Sequence, residues 1–249
     1  MGELEQNLKE LKLPAMGMNY LSAAEQARAE SLSYEQYLDA LVAAEIALRR
    51  DNRTERWLRQ SRLPLEKNLE GFDLSRLPAK VRKAVQTLLS GEFLNRAENV
   101  LAFGNPGSGK THLLCAVAQE LIRQGRRVLF QSCQLMVQEL LAAKQDLALA
   151  KALKKLRRYE AIIIDDIGYV QQDRAEMEVL FALLADRYET RSVMIKSNLP
   201  FSKWEQIFKD PMTTAAAIDR LVHHSIIVEL NLPSYRLEAA KSGQKGGSQ

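Results

Sequence analysis

Residues 104–111 read Gly-Asn-Pro-Gly-Ser-Gly-Lys-Thr. Glycines in such a loop let consecutive backbone N–H groups curl around a phosphate at the start of a helix, where the helix dipole also favours an anion. The loop runs through Gly104, Asn105, Pro106, Gly107, Ser108 and Gly109; beyond it, the amino group of Lys110 reaches the β- and γ-phosphates of a nucleoside triphosphate and the hydroxyl of Thr111 sits on Mg2+. The second signal is Ala161-Ile162-Ile163-Ile164-Asp165-Asp166, an apolar strand ending in two carboxylates. Asp165 is placed to hold Mg2+ through its waters. Asp166 is placed to orient or deprotonate the attacking water, which needs a base within hydrogen-bond reach.

Three weaker signals accompany these. Asn198 follows the apolar run Val193–Ile195, and a neutral polar side chain at the end of a neighbouring strand can help hold the same water. Asp219 and Arg220 end a short helix expected over Thr213–Leu221. There, off its own nucleotide site, Arg220 is suited to stabilise γ-phosphate charge in a neighbouring subunit; the plainer reading is a surface ion pair with Asp219. Arginines crowd residues 49–62 as Arg49, Arg50, Arg53, Arg56, Arg59 and Arg62, against Asp51 and Glu55. On a helix Arg49, Arg53 and Arg56 share a sector of ~60°, a row of guanidinium groups for a phosphate backbone. A second basic cluster comprises Lys144, Lys151, Lys154, Lys155, Arg157 and Arg158. Charge runs are usually solvated faces. If these two bind DNA, the lack of interleaved aromatics makes the contact electrostatic, largely sequence-independent and suited to duplex DNA.

The elements that must position these groups change character along the chain. Residues 1–70 carry helix signals: capping-box pairs Ser22/Glu25 and Ser33/Gln36, and an amphipathic helix expected from Tyr34 to about Arg59, with apolar positions Leu38, Leu41, Val42, Ile46 and Leu48 and a stop at Pro64. Short β-like runs then alternate with helical segments: Val100–Phe103, Val128–Gln131, Ala161–Ile164, Val193–Ile195 and Ile226–Leu230. That alternation predicts an α/β fold with a mainly parallel sheet. The expected organisation is an all-helical N-terminal domain at 1–70, an ATPase domain at 71–240 and a disordered tail at 241–249.

With 249 residues, 46% hydrophobic and 27% charged, the chain has the composition of a globular protein and not of a disordered or fibrous one. A net charge of +4 permits nucleic-acid binding without demanding it. Cys115 and Cys133 lack the paired spacing of metal sites or disulfide frameworks, so both are expected in the core. No apolar run approaches the ~18 residues of a membrane span, and the first turns carry Glu3, Glu5 and Glu10 without an apolar leader, so no membrane partner and a cytoplasmic location are expected.

Taken together, Gly-Asn-Pro-Gly-Ser-Gly-Lys-Thr-His-Leu, Ile-Ile-Ile-Asp-Asp-Ile-Gly-Tyr, Lys-Ser-Asn-Leu-Pro-Phe-Ser-Lys-Trp, Ile-Asp-Arg-Leu-Val-His-His and Ser-Tyr-Arg resemble the IstB-type ATPases. These are helpers of insertion-sequence transposition related to the DnaC helicase loaders. The resemblance covers about residues 70–240 and, more loosely, the helical region before them; Trp204, His223 and His224 belong to it. It implies a P-loop AAA+ core, ATP with Mg2+, assembly on DNA as a homo-oligomer with nucleotide at subunit interfaces, and stimulation of a cognate transposase. By motif, Lys110 and Thr111 look like the Walker A pair, with His112 continuing the nucleotide-binding stretch, Asp165 and Asp166 the Walker B pair, Asn198 the sensor I residue and Arg220 the arginine finger. Most relatives carry Glu at the position of Asp166, and no room is left after Leu230 for a C-terminal helical lid, so Arg236 alone is placed to act as a second sensing arginine. The alternative function is a DnaC-like replicative helicase loader, with the same ATPase core and a different partner for the N-terminal region. A small-molecule kinase would need an acceptor pocket and a mobile Arg-rich lid, and no segment is shaped for one.

Overall fold

The computed structural model describes residues 2–167, 174–199, 203–204, 218–219 and 221–235. Arg220, Arg236, most of the helix expected at 213–221 and the 241–249 tail lie outside the described residues. The chain divides into two compact units, Met1–Arg56 and Trp57–Gln249.

The first unit is helical: α1 (Glu3–Glu10), α2 (Pro14–Glu30) and the start of α3 (Tyr34–Gln60). Ser33 and Gln36 form the expected capping box, Ser33 N–H donating to Gln36 Oε1 at 2.8 Å and Gln36 N–H to Ser33 Oγ at 3.2 Å. Ser22 does not start a helix. Pro14, whose fixed φ suits a first turn, starts α2 eight residues earlier, and the Ser22 hydroxyl donates back to the Asn19 carbonyl at 3.0 Å. Leu13 gives α2 no side-chain cap; a buried carboxylate from α3 substitutes, Glu45 accepting from Ala15 N–H at 2.8 Å. Of the expected apolar stripe on α3, Leu41 is buried, while Leu38, Val42 and Ile46 stay exposed beside Tyr34.

The second unit holds a five-stranded sheet in the order β2-β3-β4-β1-β5: β1 (Asn99–Gly104), β2 (Val128–Ser132), β3 (Ala161–Asp165), β4 (Ser192–Ser197) and β5 (Ser225–Leu230). Every pairing is parallel, as the alternation of elements predicts. The strands are apolar runs because both faces are buried. Val100 and Ala102 enter one core while Leu101 and Phe103 enter the other, and Ala161 and Ile163 part from Ile162 and Ile164 in the same way. Helices α4 (Ala79–Leu89) and α6 (Lys110–Arg123) fill the first core together with α5 (Glu92–Asn95), and α7 (Cys133–Gln145) and α9 (Arg174–Arg187) fill the second, against which α8 (Leu149–Leu156) packs. Each fully buried Leu or Ile contributes about 1.5–3 kcal/mol, which makes this core the rigid base of the site. Cys115 and Cys133 are both buried in it, and burial pushes the Cys115 thiol up to about 12.

Candidate functional site

Parallel strands deliver their carboxyl ends to one edge of a sheet, so β1, β3 and β4 present Gly104, Asp165 and Ser197 on the same side. The loop after β1 is shaped by close approach. At Gly104 (φ 141°) a Cβ would fall 2.1 Å from the backbone carbonyl oxygen of Leu230 on β5, and at Gly107 (φ 79°) it would fall 2.1 Å from Ser234 Oγ. Tyr235 N–H donates to the Gly107 carbonyl at 3.1 Å, which ties the segment after β5 to the loop.

Lys110 opens α6 and is 3% exposed. Its ammonium donates to the carbonyls of Gly104 and Asn105, both at 2.7 Å. Burial lowers its pKa to about 8, and the charge of Lys196 adds to that. One residue on, Thr111 Oγ1 donates to Asp165 Oδ1 at 3.1 Å, so the two groups assigned to Mg2+ meet directly. Burial is the main cause that raises the Asp165 carboxyl above the ordinary carboxylate range, against the opposing charge of Lys196.

Lys196 has no place in the expected site, yet it organises it. Penultimate on β4, it pairs with Asp166 and lies 3.5 Å from Asp165 Oδ1. Asp166 itself has left the strand with φ 62°. The sequence signal for Lys196 is a charged residue directly after the apolar run Val193–Ile195, at the same strand end as Asn198. Asn198 lies just past β4 with its Oδ1 buried and unpartnered among the described residues, as is Ser108 Oγ in the loop. Trp204 fixes the turn carrying Asn198, its indole N–H donating to the Leu199 carbonyl at 3.1 Å.

Ser108, Lys110, Thr111, Asp166, Lys196 and Asn198 surround a cavity of about 340 Å3 that Phe72, His112 and Tyr235 also line. His112 Nε2 lies 2.8 Å from the Asn68 carbonyl, and its ring meets Phe72 edge-on with centroids 5.2 Å apart. Phe72 and Tyr235 escaped the sequence reading because nothing in their spacing links them to residue 104. The structure thus brings together Lys110, Thr111, His112, Asp165, Asp166 and Asn198.

The basic residues divide by partner. In the first unit Arg49 donates to Glu45 at 2.9 Å and to the Lys12 carbonyl at 2.7 Å, so its guanidinium helps hold that unit together. Arg50, Arg53, Arg56 and Arg59 are exposed on α3. In the second cluster Lys144 pairs with Glu178, and Arg157 with Asp186. Lys151, Lys154, Lys155 and Arg158 are exposed and pair with no carboxylate among the described residues.

A parallel β2-β3-β4-β1-β5 sheet, with a glycine-rich loop after β1 and paired acids at the end of β3, defines a P-loop protein of the AAA+ class. The crystal structure of the DnaC helicase loader shares this fold with a TM-score of 0.57 at 16% identity, over 67% of this chain and 97% of that one. DnaA from Aquifex aeolicus does so with 0.58 at 19%, over 74% and 56%. Within that class the chain belongs to the family of IstB-like ATP binding proteins, whose model matches residues 6–243. It is 41% identical over 239 residues to an insertion sequence ATP-binding protein of Sinorhizobium fredii, covering 96% of this chain and 80% of that one. It is 38% identical over 244 residues to the ATP-binding protein of insertion sequence IS21 from Pseudomonas aeruginosa, covering 98% and 92%.

Proposed function

We propose that this chain binds ATP with Mg2+ and works as a DNA-dependent, self-assembling ATPase that helps an insertion-sequence transposase act on duplex DNA. The observation that carries the nucleotide part is the hydrogen bond between Thr111 and Asp165 at the mouth of the glycine loop. A hydroxyl and a carboxylate from segments 54 residues apart meet where a metal on the β- and γ-phosphates would need both. The residues fit the ligand: Ser108 Oγ and Asn198 Oδ1 are buried polar atoms lacking partners among the described residues, and such atoms are normally satisfied.

In this reading Lys110 exchanges its loop carbonyls for phosphate oxygens, and the loop amides bind the β-phosphate. Thr111 and Asp165 would hold Mg2+, which when bound would neutralise charge on the phosphate oxygens. Lys196 hands Asp166 over to the attacking water, whose proton Asp166 takes, while Asn198 holds that water in place. Arg220 acts on the γ-phosphate of a neighbouring subunit, and the exposed arginines of α3 hold the duplex backbone. Family membership favours transposition over helicase loading.

The test is ATP turnover by the full chain with duplex DNA, single-stranded DNA or neither, for wild type and Asp166→Asn. Turnover raised by duplex and lost in the variant is expected; turnover indifferent to DNA would overturn the reading. Mixing Lys110→Ala with Arg220→Ala chains tests the interface, since some mixed pairs rebuild one whole site. Partial recovery of turnover is expected, and none at any ratio would assign Arg220 to a surface pair with Asp219.

A further inference from the structure

Away from the nucleotide site, the outer edge of β2 faces a cavity of about 290 Å3 whose lining includes Arg62, Arg127, Gln131, Glu139, Lys155 and Arg158. An open sheet edge is normally covered or paired, and here the turn after α3 does so: Phe130 N–H donates to the Ser61 carbonyl at 2.7 Å. That turn brings Arg62, in a left-handed conformation (φ 60°), to the cavity rim. The cavity is built rather than incidental. On the opposite wall, buried Arg187 donates to the carbonyls of Leu156 at 3.1 Å and Tyr159 at 3.0 Å, which fixes the turn carrying Arg158. The Arg127 guanidinium lies over the rings of Trp57 and Tyr159, 5.7 and 5.4 Å from their centroids, a geometry that orients a cation without neutralising it.

Two features point to an anion. Among the lining residues four are cations and one is an acid, and that acid, Glu139, is occupied by Arg62 at 3.2 Å. Arg127, Lys155 and Arg158 have no carboxylate on their side chains among the described residues. Independently, Gln131 is 3% exposed and its Nε2 has no hydrogen-bond partner among the described residues. A buried donor left unpaired in a protein interior is costly, and an acceptor oxygen entering the cavity would satisfy it.

We propose that this cavity is a phosphate pocket that grips the backbone of bound duplex DNA, with Gln131 donating to a phosphate oxygen and Arg127, Lys155 and Arg158 neutralising its charge. This rests on the DNA-binding reading above. It adds a built contact on the ATPase unit to the solvated row on α3. The exposed Lys151 and Lys154 on α8 extend the same positive surface.

The test compares three full-length proteins, wild type, Lys155→Gln/Arg158→Gln and Gln131→Leu, binding one duplex across a salt series with Mg2+ and a non-hydrolysable ATP analogue. The double variant alters exposed side chains and keeps the fold. It should weaken binding about tenfold and reduce the slope of log K against log salt by about 1.8, at about 0.9 per lost phosphate contact. Gln131→Leu removes a neutral donor, so it should weaken binding about tenfold with the slope unchanged. Its thermal midpoint should equal or exceed wild type, because no satisfied bond is broken in the free protein. Variants with wild-type duplex affinity and slope would overturn the pocket while leaving DNA binding intact, whatever they do to the binding of inorganic phosphate. A wild-type chain that fails to hold the duplex would overturn both.

Discussion

Beside the paired acids at the glycine loop both lysines already rest on oxygen: Lys110 on two carbonyls of its own loop, Lys196 on Asp165 and Asp166. At the β2 edge Arg127, Lys155 and Arg158 pair with no carboxylate among the described residues, and the nearby carboxylate is taken by Arg62. Both places gather positive charge for phosphate, yet they are poised for different ligands. The balanced site suits a ligand that arrives with its own metal and leaves after reaction, so its acids must be held ready and then released. The unbalanced cavity suits a metal-free polyanion held by net charge, which ties its strength to salt. Charge balance, more than the number of basic residues, separates the two.

Substitutions can break this contrast. Asp166→Asn should lower turnover about 10²–10⁴-fold while ATP affinity stays within about twofold, since an amide cannot take the proton from the water; single-turnover kinetics with equilibrium nucleotide titration checks it. Next, Lys110→Ala should weaken ATP binding by a factor of about 100 or more, through loss of a charge-assisted contact worth about 1.5–3 kcal/mol to each of two phosphates. If the two sites are separate, it leaves the affinity for duplex measured without nucleotide unchanged. Calorimetric titration of each ligand reads both.

Gly104→Ala probes the scaffold. Its Cβ meets backbone of the neighbouring strand and not a movable side chain, so β1 and β5 must part, and urea unfolding should show a loss of about 3 kcal/mol. Smallest is a comparison on α3. Arg50→Gln/Arg56→Gln should lower the salt slope of duplex binding by about 1.8. Arg49→Gln, already engaged by Glu45 and Lys12, should change that slope by less than about 0.5 and instead lower the thermal midpoint.

Much of the nucleotide site was legible because its parts are contiguous. A loop needing positive φ, followed directly by a lysine and a hydroxyl, is written in eight neighbouring residues, and an apolar run ending in two acids needs six more. The strands were legible for a related reason: a parallel strand buried on both faces has no polar alternation to confuse it. What sequence left open were contacts with no spacing rule. Ser22 fits a capping box as well as Ser33 does, and Pro14 upstream decided between them. Arg49 looks like its exposed neighbours until Glu45 is found buried beside it. Lys196 reads as a strand end until β4 is seen beside β3, within reach of both acids.

By itself, then, the sequence determined the phosphate loop, the acids that face it, the parallel α/β class and the family, since each is written in contiguous motifs or in short apolar runs buried on both faces. Strand order, the clamp of Lys196 on the acids and the cavity of Arg62, Arg127, Gln131 and Arg158 were decided by tertiary structure alone. These join residues as much as 126 positions apart in the chain, as Asn99 and Ser225 are, and whether a charge is paired or an amide left unsatisfied depends on neighbours that only folding supplies.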